Sequence, residues 1–148
     1  MTMFYECSIP PMNRALGALS AVLTKAEAHC TARKIDPEAL LKARLFPDMF
    51  TLTKQVQLAC DYAARGAARL AGADLPGFPD TETSFAELQI RISRTRDYLG
   101  TFQADRFADA AGRSITLKQR GADLVLPGTD FLTLYALPNF YFHTATAY

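Results

Sequence analysis

Met12-Asn13-Arg14-Ala15-Leu16-Gly17-Ala18-Leu19-Ser20-Ala21-Val22-Leu23-Thr24-Lys25-Ala26 decides the architecture. Met12, Leu16, Leu19, Leu23 and Ala26 recur at helical spacing, so one face of a helix is apolar and the rest is polar or small. The helix is expected to begin near Ser8-Ile9-Pro10-Pro11, because proline is tolerated in a first turn, and to run to about Arg33. Working outward, Asp36-Pro37 offers an N-cap followed by proline at the first helical position, which predicts a short helix from Pro37 to about Arg44. Phe46-Pro47-Asp48 breaks that helix and opens a second long one with the stripe Leu52, Val56, Ala59, Ala63, Ala67 and Leu70. Small residues dominate this stripe, which favours close approach of a neighbouring helix.

Gly72 to Ser84, rich in proline and glycine, reads as a loop. Thr83 or Ser84 then caps a third long helix with the stripe Phe85, Leu88, Ile92, Thr95 and Leu99. The period changes after that. Ser114-Ile115-Thr116-Leu117-Lys118 and Ala122-Asp123-Leu124-Val125-Leu126 alternate around Arg120-Gly121 and predict a β-hairpin. Pro127-Gly128 ends it, Thr129 or Asp130 is the expected cap, and a last helix carries Phe131, Leu134, Leu137, Phe140 and Phe142. Pro138 lies inside that helix and is expected to kink it.

The totals bound the function. The 148 residues, 49% hydrophobic and 21% charged, suit a single packed domain over 1–148. Sixteen basic against 15 acidic residues leave a net charge of +1, without the basic excess of a nucleic-acid binder. Arg91, Arg94 and Arg96, the densest basic stretch, read as a solvated helix face. Cys7, Cys30 and Cys60 are odd in number and widely spaced, which indicates reduced thiols rather than a disulfide framework or zinc knuckle. The first residues have neither a basic region nor an apolar run, and no stretch is long enough to span a bilayer, so a cytoplasmic protein without membrane or nucleic-acid partners is expected.

Long helix, short helix, long helix, loop, long helix, hairpin, long helix is the layout of the DinB/YfiT-like four-helix bundles. The strings Lys25-Ala26-Glu27-Ala28-His29, Ala43-Arg44-Leu45-Phe46-Pro47-Asp48-Met49, Gln55-Val56-Gln57-Leu58-Ala59-Cys60-Asp61 and Leu137-Pro138-Asn139-Phe140-Tyr141-Phe142-His143 resemble those of a branch of that superfamily with no assigned function. The resemblance implies an all-α fold with a short extra helix and a small hairpin before the last helix. It also implies a homodimer, and the aromatic-rich last helix is a reasonable source of apolar contact surface. Members of this branch continue the last helix by a turn or more past the position of Tyr148.

Metal-binding members of the superfamily carry one histidine on the second long helix and a His-x-x-x-His pair on the last. Residues four apart share a helix face, so three imidazoles can take one side of a zinc, nickel or iron ion. In those relatives the site is associated with hydrolysis or with transfer of low-molecular-weight thiols. This chain matches at His143 alone: Ala147 stands four residues later, and the best-placed residue on the second long helix is Gln55. With two histidines in all, an ordinary three-histidine site within one chain is excluded.

Asn139 lies four residues before His143, and Gln55 faces both from the opposing helix, so the three are the candidate pocket for a small polar ligand. The plain structural reading is a core histidine satisfied by Gln55, Asn139 or water. Any residual metal would bind at His143, with Asp48 or Asp61 assisting. His29 and Cys30, adjacent on a helix, diverge by ~100° and do not form a catalytic pair. Cys60 reads as a buried apolar group, Arg44 and Asp48 as a capping pair across the helix break, and Tyr135 and Tyr141 as packing residues. Two functions remain in view. One is a metal-free small-ligand-binding or interaction module with a degenerate metal site; the other is a metal-dependent hydrolase or thiol S-transferase built around His143.

Overall fold

A computed structural model describes residues 2–148. Its helices are α1 (Met3–Arg33), α2 (Pro37–Leu41), α3 (Leu52–Ala71) and α4 (Phe85–Gly100), followed by a 3-10 turn at Ala104–Phe107. Strands β1 (Ser114–Leu117) and β2 (Leu124–Pro127) pair antiparallel, with Ser114 opposite Pro127 and Leu117 opposite Leu124. The last helix, α5, is unbroken: Gly128–Asp130, a π-helical stretch Phe131–Ala136, and Leu137–Ala147. The four long helices form the bundle, and α3 touches α1, α2, α4 and α5.

Local chemistry sets most of the boundaries. Asp36 accepts from the Glu38 N–H with Pro37 behind it, which starts α2. Ser84 accepts from the Glu87 N–H, and Glu87 accepts in return from the N–H and hydroxyl of Thr83. Gly72 closes α3 at φ +64°, a left-handed conformation that costs glycine nothing. The Arg113 Nε–H donates to the Leu70 carbonyl at that same end, where α3 has no intrahelical donor left.

Several boundaries differ from the sequence expectation. α1 begins at Met3, and Pro10 and Pro11 lie inside it rather than at its start. The carbonyls of Glu6 and Cys7 that lose donors to the two prolines belong to exposed residues, where water can serve. Tertiary contacts hold the extra turns: the Thr2 hydroxyl donates to the Ala104 carbonyl, and Tyr5 packs edge-on against Phe107. α2 stops at Leu41, and α3 starts only at Leu52, capped by Thr51, instead of at the Phe46-Pro47-Asp48 break. Arg44 and Asp48 do not pair; Arg44 donates to the Met49 carbonyl and ties down the loop.

The stripes of α1, α3 and α4 form the core as expected, with Met12, Leu16, Leu23, Val56, Ala59, Ala63, Ala67, Leu88 and Leu99 fully buried. Burial of each large aliphatic side chain contributes roughly 1.5–3 kcal/mol. The small residues of α3 let α5 approach closely: a Cβ on Gly66 would touch that of Ala136.

The last helix departs from its predicted stripe. Phe131, Leu132, Ala136, Phe140, His143 and Ala147 are buried, whereas Leu134 and Phe142 are exposed. The π-helical stretch widens the turn just before Pro138, moving the buried face by part of a turn. No side chain caps α5 at Thr129 or Asp130. Its start is fixed by Gly128 packed on the Ala110 carbonyl, where any Cβ would collide, and by the Thr129 N–H donating to Ala111.

Candidate functional site

Three polar constructions meet on α3. The first joins Gln55 to His143 of α5. Gln55 Oε1 lies 2.7 Å from His143 Nδ1, and both residues are buried. An amide oxygen can only accept, so Nδ1 carries the proton in this arrangement. Burial holds the imidazole below its ordinary pKa and keeps it neutral. Tyr62, two turns along α3 from Gln55, stacks on the His143 ring at 5.4 Å and 18°.

Asn139 does not join them. Its Nδ2 donates to the Tyr135 carbonyl one turn earlier, so the expected cluster of three is a pair with Asn139 turned back on its own helix. Proximity in sequence was the wrong guide here, because an asparagine inside a helix can bond back to the carbonyl four residues earlier on its own helix. The site does not fit a metal ion. His143 has no second imidazole beside it, Asp61 pairs with Arg91, and Asp48 is exposed at the helix break. Among the described residues no group of three or more histidine, cysteine or acidic side chains is placed to hold a metal ion.

The second construction is ionic. Arg91, expected on a solvated face, is 3% exposed and sits between α4, α3 and the loop that joins them. It meets Asp61 at 2.8 Å, Asp80 at 3.0 Å and Glu82 at 3.1 Å, and also donates to the Pro79 carbonyl. Gln57 donates to Glu82, and Lys54 reaches Asp80. Burial alone would weaken the Arg91 charge, but Asp61 and Glu82 overcome it and hold its pKa above the ordinary value. Asp61 moves upward as well, because burial outweighs the attraction of Arg91, whereas Asp80 is held below its usual range through Lys54 and Arg91 against a burial effect of the opposite sign. Three carboxylates sharing one guanidinium account for the uneven outcome. Cys60, next to this network, is fully buried with its thiol pushed up to about 12, mainly by burial, and is inert at neutral pH.

The third construction is a cleft of about 530 Å³ between α3, β1 and α5. Its walls are Leu58, Tyr62, Leu75, Leu117, Phe131 and Tyr135, and its polar groups are Asp61, Arg65, Arg69, Thr116 and Lys118. Burial first, and then the neighbouring Tyr135 hydroxyl, push the Tyr62 phenol up to about 12, so it stays a neutral O–H group. Tyr62 thus belongs to two places: it stacks on buried His143 and also forms part of the cleft wall. Sequence reasoning missed Tyr62, Arg65, Arg69 and Arg91. The 61, 65, 69 spacing of an acid and two arginines on one face of α3 was a visible signal. That the hairpin walls off this face was not.

His29 is exposed and Cys30 is buried, which separates them as expected. Among the described residues no helix is long and apolar enough to cross a membrane.

Comparison with known proteins bears on fold and family. A crystal structure of a DinB family member protein from Shewanella denitrificans is similar at a TM-score of 0.89 and 40% identity, covering 99% of this chain and 83% of that one. No curated protein matches. The model of DUF1993, a domain of unknown function, matches residues 4–148. With helices, hairpin and sequence all in agreement, the chain belongs to the DUF1993 family and has a DinB-like fold.

Proposed function

We propose that this protein is a small-ligand-binding member of its family that works without a resident metal, and that its ligand enters the cleft between α3, β1 and α5. The observation that carries this reading is the position of Tyr62. One side of the ring rests on the closed, neutral Gln55–His143 pair, and the residue also lines a cleft of ligand size. The pair stands where metal-binding relatives place their ligands, and here it serves as a rigid backing for the wall.

Homodimerisation belongs to the same proposal. Leu134, Tyr141 and Phe142 stand exposed on α5 and supply apolar surface for a second copy. Light scattering of the purified protein tests it; a monomer at micromolar concentration removes this part.

The test of the main reading is the metal content of untagged protein and of His143→Ala, together with a small-fragment screen read by NMR at Tyr62 and Tyr135. The expected result is no stoichiometric zinc, nickel or iron, an unchanged Tm in chelator, and fragment-induced shifts at the two tyrosines. Stoichiometric metal lost in His143→Ala would overturn the proposal and favour a metal-dependent hydrolase or low-molecular-weight thiol S-transferase.

A further inference from the structure

We propose, resting on the reading of the cleft as a ligand site, that its ligand is a small organic oxyanion, a carboxylate or phosphate on a planar apolar body, anchored by Arg65 and Arg69. The two arginines are one turn apart on α3, and both line the cleft. Among the described residues neither is in an ion pair, although every other cation near this face is engaged. Arg91 holds Asp61, Asp80 and Glu82, Lys54 holds Asp80, and Lys118 holds Asp123. Among the described residues Asp61 is the one acidic residue that lines the cleft, and Arg91 already takes it at 2.8 Å. Arg65 shares the attraction of Asp61, one turn earlier, with Arg91, so the cleft holds two guanidinium groups against a single carboxylate already paired elsewhere.

Like charges four residues apart weaken a helix unless something neutralises them. Arg69 feels this directly: burial first, and Arg65 second, lower its pKa. A bound oxyanion relieves both effects, and a guanidinium offers paired N–H donors that match a carboxylate or phosphate edge. Arg69 is also held in place, half-buried, with its guanidinium 6.0 Å from the centre of the Phe131 ring. The phenol groups of Tyr62 and Tyr135 line the same cleft. In the same cleft the rings of Tyr62, Tyr135 and Phe131 supply flat apolar wall, which suits an aromatic or similarly planar body.

The experiment is an NMR titration of the full chain with benzoate and phenyl phosphate, against benzamide as a neutral analogue of the same shape, read at Tyr62 and Tyr135. The expected result is saturable binding of both anions, at least about tenfold tighter than benzamide and weakening as salt is raised. Arg65→Gln/Arg69→Gln should abolish the preference for the anions. The single change Arg65→Gln, at an exposed position, should reduce it even if the double variant fails to fold. Benzamide binding as tightly as benzoate at the two tyrosines overturns the oxyanion assignment and leaves the ligand site standing. If none of the three compounds perturbs those tyrosines up to millimolar concentration, both the assignment and the ligand-site reading fall.

Discussion

Helix α3 carries two buried polar inclusions built on opposite principles. Toward α4 it places Asp61 and Gln57 in an ionic network around Arg91. Toward α5 it places Gln55 against His143, a neutral pair joined by one hydrogen bond. A buried charge needs several partners to replace its hydration, and Arg91 recruits three carboxylates and a carbonyl. A neutral imidazole beside an amide carries no net charge, so its burial needs far fewer partners than that of a guanidinium. The network also ties the Gly72–Ser84 loop to two helices, whereas the pair ties one helix to another.

Breaking the ionic side should have the largest effect. Arg91→Ala leaves the carboxylates of Asp61 and Glu82 facing one another without a counter-charge, and the expected loss is about 3–5 kcal/mol in a denaturant melt. The loop around Asp80 and Glu82 should lose amide-exchange protection in the same variant, if it still folds. A loss comparable to that of the neutral pair would show that the network is solvated enough to dispense with its centre.

On the neutral side, His143→Ala strands the Gln55 amide and should cost about 1–3 kcal/mol, read by the same melt. Gln55→Leu combined with His143→Phe removes both polar groups and should recover most of that loss. Undiminished stability in His143→Ala would mark a solvent-facing histidine and contradict its burial.

Acid sharpens the contrast. Because burial holds His143 below the ordinary 6.5, the unfolded chain takes up the proton more readily. The stability that the neutral pair contributes is complete above pH 6.5 and declines as pH falls through that value toward the folded pKa. The Tm advantage of the native protein over His143→Gln should therefore shrink on acidification. In the network Asp80 behaves in the same sense at lower pH, since its pKa is depressed, while Asp61, raised by burial, takes up a proton before it and works in the opposite sense.

The smallest effect belongs to the rim. Lys54 and Asp80 are about one-third exposed, so Lys54→Ala should change stability by about 0–1 kcal/mol and by less in high salt. A larger loss would mean that Lys54 neutralises the network and is not merely attached to its edge.

How much of this was legible in the chain depends on the range of the interaction. Asp36 with Pro37, Ser84 with Glu87 and Gly72 act within one turn, and each marks a boundary that the structure keeps. The stripes of α1, α3 and α4 follow from the helical period alone. Pro10 and Pro11 misled, because the turns before them are held by Thr2 and Tyr5 against distant residues Ala104 and Phe107. The stripe of α5 misled because the π-helical stretch before Pro138 changes the period on which the reading rests. His143 and Gln55 were identifiable from a family pattern, but the direction of Asn139 was not.

A helical bundle with a hairpin before its last helix, a histidine count too small for three imidazoles, and the core faces of α1, α3 and α4 all follow from the chain alone. These depend on period, capping and residue counts, all local or countable properties. The burial of Arg91, the stacking of Tyr62 on His143, and the sharing of one cleft by Arg65 and Arg69 are set by tertiary packing. The reason is physical: an arginine reads the same in sequence on a solvated face or within a carboxylate network, and only the position of the neighbouring elements decides which it becomes.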